Sequence, residues 1–460
     1  MKITVLNGSP KGEQSVTMQY VHFIEKKFPQ HEFKILNIAQ RIKAIEEQEQ
    51  AFQEILADVQ SSDGVLWAFP LYFMLVQAHY KRFIELLWER NAQAVFKGKY
   101  AAVLTTSIHF YDHTAINYMH AICDDLDMRY VDAYSAEMQD LLKAPERQRF
   151  LLFAENFFAA ITNARPTCKQ YQPVTYQPWA YVPGNGAPKI AASAKKVVIL
   201  TDADDPQTNL GKMIAKLKHA FAPEAAVYNL SALNIKGSCL GCMQCGYDNT
   251  CIWEGKDDYI EFFKTKVQPA DVLIFAGAIH DRYLSARWKT FFDRSFFNGH
   301  TPVLKDKQFG FLISGPLRQI PNLREILEAY TEMQHANLVA VITDEQADSA
   351  VLDAMLQSLA ERALRLAEQH YLKPATYVSI GGAKIFRDGV WGGMRMVFQA
   401  DHRYYKQHGM YDFPQKDYKT RLLNAVVTVL LKIPALRQRF YTKEMKPGMI
   451  RPLQKFLAQV

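Results

Sequence analysis

The 460-residue chain has no apolar run long enough to span a bilayer. Its stretch RLLNAVVTVLLKIPALRQRF holds only about a dozen apolar residues between Arg421 and Lys432, short of the ~20 that a spanning helix needs. No charged leader, apolar signal segment or small-residue cleavage site precedes the first strand pattern, KITVLN, so a cytoplasmic location is expected. Neither Gly-x4-Gly-Lys-Ser/Thr nor Gly-x-Gly-x2-Gly occurs at the first strand-to-helix turn, which disfavours ATP and a Rossmann-bound NAD. No nucleic-acid reading module accompanies the positive charge, so nucleic acid is not an expected partner. Cysteine is scarce, six residues in all, and no second Cys-x2-Cys knuckle stands at the distance a zinc ribbon uses.

Four of the six cysteines lie in one stretch, GSCLGCMQCGYDNTC: Cys239, Cys242, Cys245 and Cys251. The Cys-x2-Cys-x2-Cys-x5-Cys spacing wraps thiolates around one centre, and runs of this kind hold iron-sulfur clusters, here read as [4Fe-4S]. Glycines interleaved with the thiols allow tight bends and close approach of amides to sulfur. Structural zinc and a pair of disulfides are the alternatives. Cys123, inside a helical pattern, reads as a small buried apolar residue, and Cys168 as incidental.

The net charge of +7 is uneven. From residue 371 onward 16 lysines and arginines face 5 acids, a local +11, which leaves a mildly acidic body at −4. Such an asymmetry points to a solvated face, an anionic surface or an acidic partner.

An internal repeat at an offset of 208 residues organises the rest. Val59, Gln60, Asp63, Ala68, Ala78, Lys81 and Phe83 recur as Val267, Gln268, Asp271, Ala276, Ala286, Lys289 and Phe291, with Glu85 answered by Asp293. Each copy reads as a buried apolar strand, a loop and an amphipathic helix. Strands are expected near 2–7, 33–38, 64–69, 100–106 and 130–136, then near 196–201, 225–230, 271–276, 307–314 and 337–343, alternating with helices. The expected fold is α/β: two tandem doubly wound five-stranded parallel sheets and a mainly helical C-terminal extension. The boundaries are 1–164 for the first domain, 165–195 for a Pro- and Tyr-rich linker, 196–372 for the second domain and 373–460 for the basic extension.

The first strand runs into NGSPKGEQSVTMQY, a turn at a helix start, where free amides with Ser9, Ser15, Thr17 and Lys11 suit a phosphate. Two further loops leave the same carboxyl edge: Pro70-Leu71-Tyr72-Phe73 and Thr105-Thr106-Ser107-Ile108-His109. Their aromatics, hydroxyls and amides suit a planar heteroaromatic ring. His109 is a candidate proton donor beside such a ring. A metal site at His109 and His113 lacks a third ligand.

Gly-Ser-Pro after the first strand, the Pro-x-Tyr-Phe loop followed by a Lys-x-Phe helix, and the four-cysteine run resemble the NAD(P)H-dependent FMN reductase-like branch of the flavodoxin fold. Within that branch the cysteine run resembles the iron-sulfur flavoproteins. The resemblance spans residues 1–164 and 196–370. It implies FMN, with its phosphate at Ser9, Pro10, Lys11, Ser15 and Thr17 and its ring against Pro70, Leu71, Tyr72, Phe73 and Thr105 to His109. It also implies NAD(P)H as electron donor, stacking directly on the flavin. The second copy departs from this pattern: Asp202, Asp204 and Asp205 occupy its first loop and would repel a phosphate. One FMN in the first domain and one cluster in the second are therefore expected.

The expected function is an FMN- and [4Fe-4S]-containing oxidoreductase passing electrons between NAD(P)H or a reduced ferredoxin and a small-molecule or protein acceptor. Alternatives are a cluster-free FMN or quinone reductase with structural zinc, and a non-catalytic redox sensor or electron carrier. A homo-oligomer is expected. The extension is expected to pack on the second domain or across a dimer interface, with peripheral membrane contact the less favoured use.

Overall fold

A computed structural model describes residues 1–185, 188–191, 194–412 and 417–459. Residues 186, 187, 192 and 193 of the expected linker, and 413–416 of the extension, lie outside the described residues.

The first domain runs β1 (Lys2–Asn7), α1 (Val16–Lys27), β2 (Glu32–Asn37), α2 (Ile42–Glu47), α3 (Glu49–Gln60), β3 (Gly64–Pro70), α4 (Ala78–Glu89), β4 (Tyr100–Thr106), α5 (Asp112–Asp125), β5 (Arg129–Ala136) and α6 (Ala144–Thr162). A short pair, β6 (Ile190–Ala191) with β8 (Phe221–Ala222), brackets the start of the second domain. That domain runs β7 (Val197–Thr201), α7 (Asn209–His219), β9 (Ala226–Asn229), α8 (Tyr259–Phe262), β10 (Val272–Ala278), α9 (Ala286–Arg294), β11 (Gln308–Ser314), α10 (Pro321–Met333), β12 (Asn337–Thr343) and α11 (Ser349–Glu368). The strand orders are β2-β1-β3-β4-β5 and β9-β7-β10-β11-β12, parallel throughout, which is the flavodoxin-like order in both copies. The central strands are buried on both faces, as their unbroken apolar runs require: Gly64–Phe69 and Val272–Gly277 are buried at every position.

The repeat has a direct structural counterpart where α4 meets α9. Glu85 Oε1 accepts from the amide of Ala286 at 2.7 Å, and Asp293 Oδ2 accepts from the amide of Ala78 at 2.9 Å. Each domain thus caps the other's helix with the carboxylate of an equivalent position, an intrachain pseudo-two-fold. Lysines equivalent by the same offset are buried with these acids. Lys81 Nζ lies 2.8 Å from Glu85 and 2.9 Å from Asp281, and Lys289 pairs with Asp293. Burial works against the charge of Lys81, yet Asp281 and Glu85 hold its pKa above the ordinary value. Burial wins at Lys289, whose pKa is lowered. An apolar core crosses the same junction, with Phe73 stacked on Phe292 at 6.2 Å.

Residues Met1–Tyr404 form one compact unit and Tyr405–Val460 a second. Beyond α11 the chain forms α12 (Tyr377–Trp391), α13 (Gln399–Gln407), α14 (Tyr418–Leu430), α15 (Pro434–Arg439) and α16 (Met445–Leu457). The stretch 377–404, inside the expected extension 373–460, is part of the same compact unit as the two sheets. Phe386 stacks on His300 at 3.6 Å, and Asp401 accepts from the His300 ring at 2.6 Å. Among the described residues no helix is long and apolar enough to cross a membrane.

Candidate functional site at the junction of the two domains

The three candidate loops of the first domain converge at the carboxyl edge of its sheet because β1, β3 and β4 are neighbours there. Ser15 caps α1, its Oγ accepting from the Met18 amide at 3.2 Å, and the other first-turn amides have no intrahelical acceptor. Ser9 is buried, and its Oγ accepts from the Lys11 amide at 3.2 Å. Gly12 holds φ +56 in a cradle where an added Cβ would fall 2.5 Å from the Gln40 side chain. Thr17 Oγ1 and Thr106 Oγ1 meet at 2.7 Å, so the phosphate loop and the β4 loop touch. The Leu71 amide donates to Thr106 O at 3.0 Å, joining the β3 loop to both. Thr105 Oγ1 is buried without a hydrogen-bond partner. This donor-rich edge with an orphaned buried hydroxyl fits an anionic mononucleotide.

Phe73 and Met74 have φ of 38 and 63, and His109 and Tyr111 have φ of 62 and 56. Both ring-side loops are therefore held in left-handed backbone that non-glycine residues seldom adopt. His109 is half exposed; its Nδ1 lies 2.8 Å from Asp112 Oδ2, which also accepts from Ser135 Oγ at 2.6 Å. The hydrogen bond to Asp112 raises the His109 pKa against the opposing effect of burial. His113 pairs instead with Glu325 of the second domain at 2.8 Å, away from any shared ligand set.

Cys239, Cys242, Cys245 and Cys251 line a single pocket, with Leu240, Trp253, Arg294 and Phe297 among its walls. All four are free thiols. The Gly241 amide donates to Cys239 Sγ at 3.5 Å. Burial pushes the thiols of Cys239 and Cys245 up to about 12 and raises that of Cys251, so they stay protonated until a cation compensates them. Arg294 binds Asp257 at 2.7 and 2.9 Å and Gly237 O at 2.9 Å, leaving its buried Nε–H with no partner at the pocket wall. An unspent donor beside four thiols fits a sulfur-rich anionic group. Among the described residues no three His, Cys, Asp or Glu side chains gather tightly enough for a single metal ion. The expected [4Fe-4S] cluster, and the zinc alternative, are thus not shown by the geometry, which gathers the thiols without closing them on one point.

The cysteine loop of the second domain lies against the candidate flavin edge of the first. At Gly241, φ +62, an added Cβ would stand 2.0 Å from the Tyr72 hydroxyl and 3.3 Å from Lys11 Cε. Burial, followed by the neighbouring Cys239 and Asp293, drives the Tyr72 pKa well above its ordinary value. Lys289 Nζ donates to Tyr72 O at 2.8 Å. Gln77 Nε2 donates to Cys239 O at 3.4 Å. His79 receives the Ser238 amide on Nε2 at 3.2 Å and donates from Nδ1 to Ala39 O at 3.1 Å, a neutral tautomer consistent with a pKa lowered by burial. On the far side, Val397 O sits where a Cβ at Gly246 would fall, at 2.3 Å. Sequence reasoning missed Gln77, His79 and the cover by Val397, because each acts across about 150 residues or more.

The carboxyl edge of the second sheet is built differently. Asp202 is turned inward to Ser285 Oγ and to Trp288 Nε1, the latter at 2.9 Å, and burial raises its pKa. Asp204 accepts from Asn229 at 2.9 Å, and Asp205 from the Gln207 amide at 2.8 Å. The segment expected as a plain linker is docked across this edge. Tyr176 donates to Asp344 at 2.8 Å, Trp179 donates to Asp344 O, Tyr181 donates to Asp353, and the Tyr181 amide donates to Asn209 at 2.9 Å. Tyr181 is fully buried in the second domain's core. Cys123 is buried and Cys168 exposed.

Residues 1–139 match the family described as NADPH-dependent FMN reductase. No curated protein matches the chain. Among solved structures, it is similar to FerB, a flavoenzyme NAD(P)H:(acceptor) oxidoreductase from Paracoccus denitrificans, at 18% identity over 35% of this chain and 97% of that one, with a TM-score of 0.29. An FMN-dependent NADH-azoreductase from Bacillus anthracis, in complex with FMN, is similar at 14% identity over 36% and 100%, with a TM-score of 0.27. An NADPH-quinone reductase from P. pentosaceus is similar at 17% identity over 35% and 97%, with a TM-score of 0.26. The molecule is an α/β protein with two flavodoxin-like sheets. Its first domain is similar to the NADPH-dependent FMN reductase family over residues 1–139.

Proposed function

We propose that the chain is an iron-sulfur flavoprotein oxidoreductase in which the first domain holds one FMN and the four cysteines of the second hold a [4Fe-4S] cluster. The observation that carries this reading is the contact of the two candidate sites at Gly241, Tyr72 and Lys11. When bound, FMN supplies hydride and one-electron chemistry and the cluster supplies one-electron transfer.

The residues of the chain have separable tasks. Ser9, Lys11, Ser15 and the first-turn amides of α1 would hold the phosphate, and Thr105 Oγ1 offers an unspent hydroxyl at the same edge. The strained loops at Phe73–Met74 and His109–Tyr111 would flank the ring. Asp112 accepts from Nδ1–H and fixes the His109 ring, leaving Nε2 as the atom that takes up and gives up a proton at the open edge. Cys239, Cys242, Cys245 and Cys251 would ligate iron, and Arg294 Nε–H would donate to the sulfur-rich group.

NAD(P)H is the proposed electron donor, and a quinone, another small oxidant or a ferredoxin-type protein the proposed partner. Anaerobic reconstitution of the full chain, followed by NAD(P)H oxidation assays with a quinone acceptor, tests the reading. Turnover with iron and sulfide retained supports it. Retained iron without turnover favours an electron carrier, and turnover without iron a cluster-free reductase.

A further inference from the structure

The second compact unit has an unusual property for a folded segment: no described residue from Asp417 to Gln459 is buried. The helices there are nonetheless strongly apolar on one side. On α14 the exposed Leu422, Leu423, Val426, Val429 and Leu430 recur at spacings of 1, 3, 3 and 1, a stripe covering about a third of the helix circumference. On α16 Met445, Met449, Ile450, Leu453, Phe456 and Leu457 form a second stripe, and Arg451 and Lys455 fall on its opposite face. Between Asp417 and Gln459 nine lysines and arginines face two acids.

Two exposed apolar stripes of this length call for a cover. Each of these helices has 13 residues, a length of about 20 Å, too short to cross the ~30 Å hydrocarbon core of a bilayer. A second copy of the unit would bring one excess of positive charge against another. Short amphipathic helices with apolar stripes, basic residues such as Arg421, Arg451 and Lys455 on the polar side, and aromatics such as Tyr418, Tyr441 and Phe456 have the composition of helices that lie in a membrane interface.

We propose that α14 to α16 form a peripheral anchor that lays its apolar stripes into the surface of an anionic lipid bilayer.

Co-sedimentation of the full chain with phosphatidylcholine vesicles, with and without phosphatidylglycerol, tests the proposal. The chain is expected to sediment with the mixed vesicles, to stay in solution with neutral ones and to be released by salt. Combining Lys446→Gln, Arg451→Gln and Lys455→Gln should weaken binding roughly a hundredfold, at about fivefold per basic residue. Leu423→Asp with Leu453→Asp should abolish binding while the flavin content of the chain stays unchanged, a readout that separates lost anchoring from misfolding. Failure to sediment with the anionic vesicles, or equal binding to both kinds, overturns the proposal. An oligomer in solution that the two aspartates dissolve, without vesicle binding, assigns the face to a second copy instead.

Discussion

At the carboxyl edge of the first sheet, Ser9, Ser15, Thr17 and the start of α1 present hydroxyls and amides. At the same edge of the second sheet, Asp202 is turned inward to Trp288 and the chain's own Tyr176–Tyr181 segment is laid across. Both edges arise from one strand order and one repeat, so the fold alone does not decide which binds a nucleotide. The two edges differ in a few loop residues and in thirty residues of connecting chain. What the second domain lacks at its sheet edge it supplies elsewhere, as a cysteine loop set against the edge of the first.

The comparison breaks most sharply at the thiols. Cys245→Ser should abolish iron retention while leaving FMN in place, measured by iron assay and flavin absorbance on one preparation; parallel loss of both would mean that the sites are not separate. Next in size is Tyr181→Ala. Removing a fully buried aromatic should cost about 3–5 kcal/mol in denaturant unfolding and should not create a second flavin site, because Asp202, Asp204 and Asp205 remain. A second FMN in that variant would assign the closure of this edge to the connecting segment alone.

Gly241→Ala sharpens the contact between the domains. It should destabilise by roughly 2–4 kcal/mol, from left-handed backbone and a clash with the Tyr72 hydroxyl. Tyr72→Phe in the same chain should recover part of that loss, and a double-mutant cycle with no coupling would show that the two loops do not touch. Ser15→Ala should cost about 1 kcal/mol through the lost cap and weaken FMN binding, with iron content unchanged.

The smallest effect is at His109. Its folded pKa lies above the ordinary 6.5, so its bond to Asp112 stabilises fully below that value and fades as pH rises through the folded pKa. Asp112 has a lowered pKa and contributes above 3.8, fading as pH falls through its own folded value. Imidazole NMR titration should place His109 above 6.5 and find it lowered in Asp112→Asn.

Strand and helix positions were legible because apolar runs and helical periodicity are local, and the 208-residue offset relates β3, β4 and β5 to β10, β11 and β12. The candidate phosphate turn was legible for the same reason, since Ser9 to Thr17 are contiguous. The docking of Trp179 and Tyr181 was not: a Pro- and Tyr-rich segment has no period to read, and its partners Asp344 and Asp353 lie about 170 residues away. The approach of Gly241 to Tyr72 was equally hidden, being a contact between modules rather than within one. The basic excess after residue 371 was visible as a number. Its division between 377–404, part of the compact body, and 417–459, which buries nothing, required coordinates.

The most direct test is quantitation of flavin, iron and sulfide in one anaerobically reconstituted preparation of the full chain. The account predicts one FMN and about four irons per chain. Two FMN per chain, or no iron held by the four thiols, would contradict it.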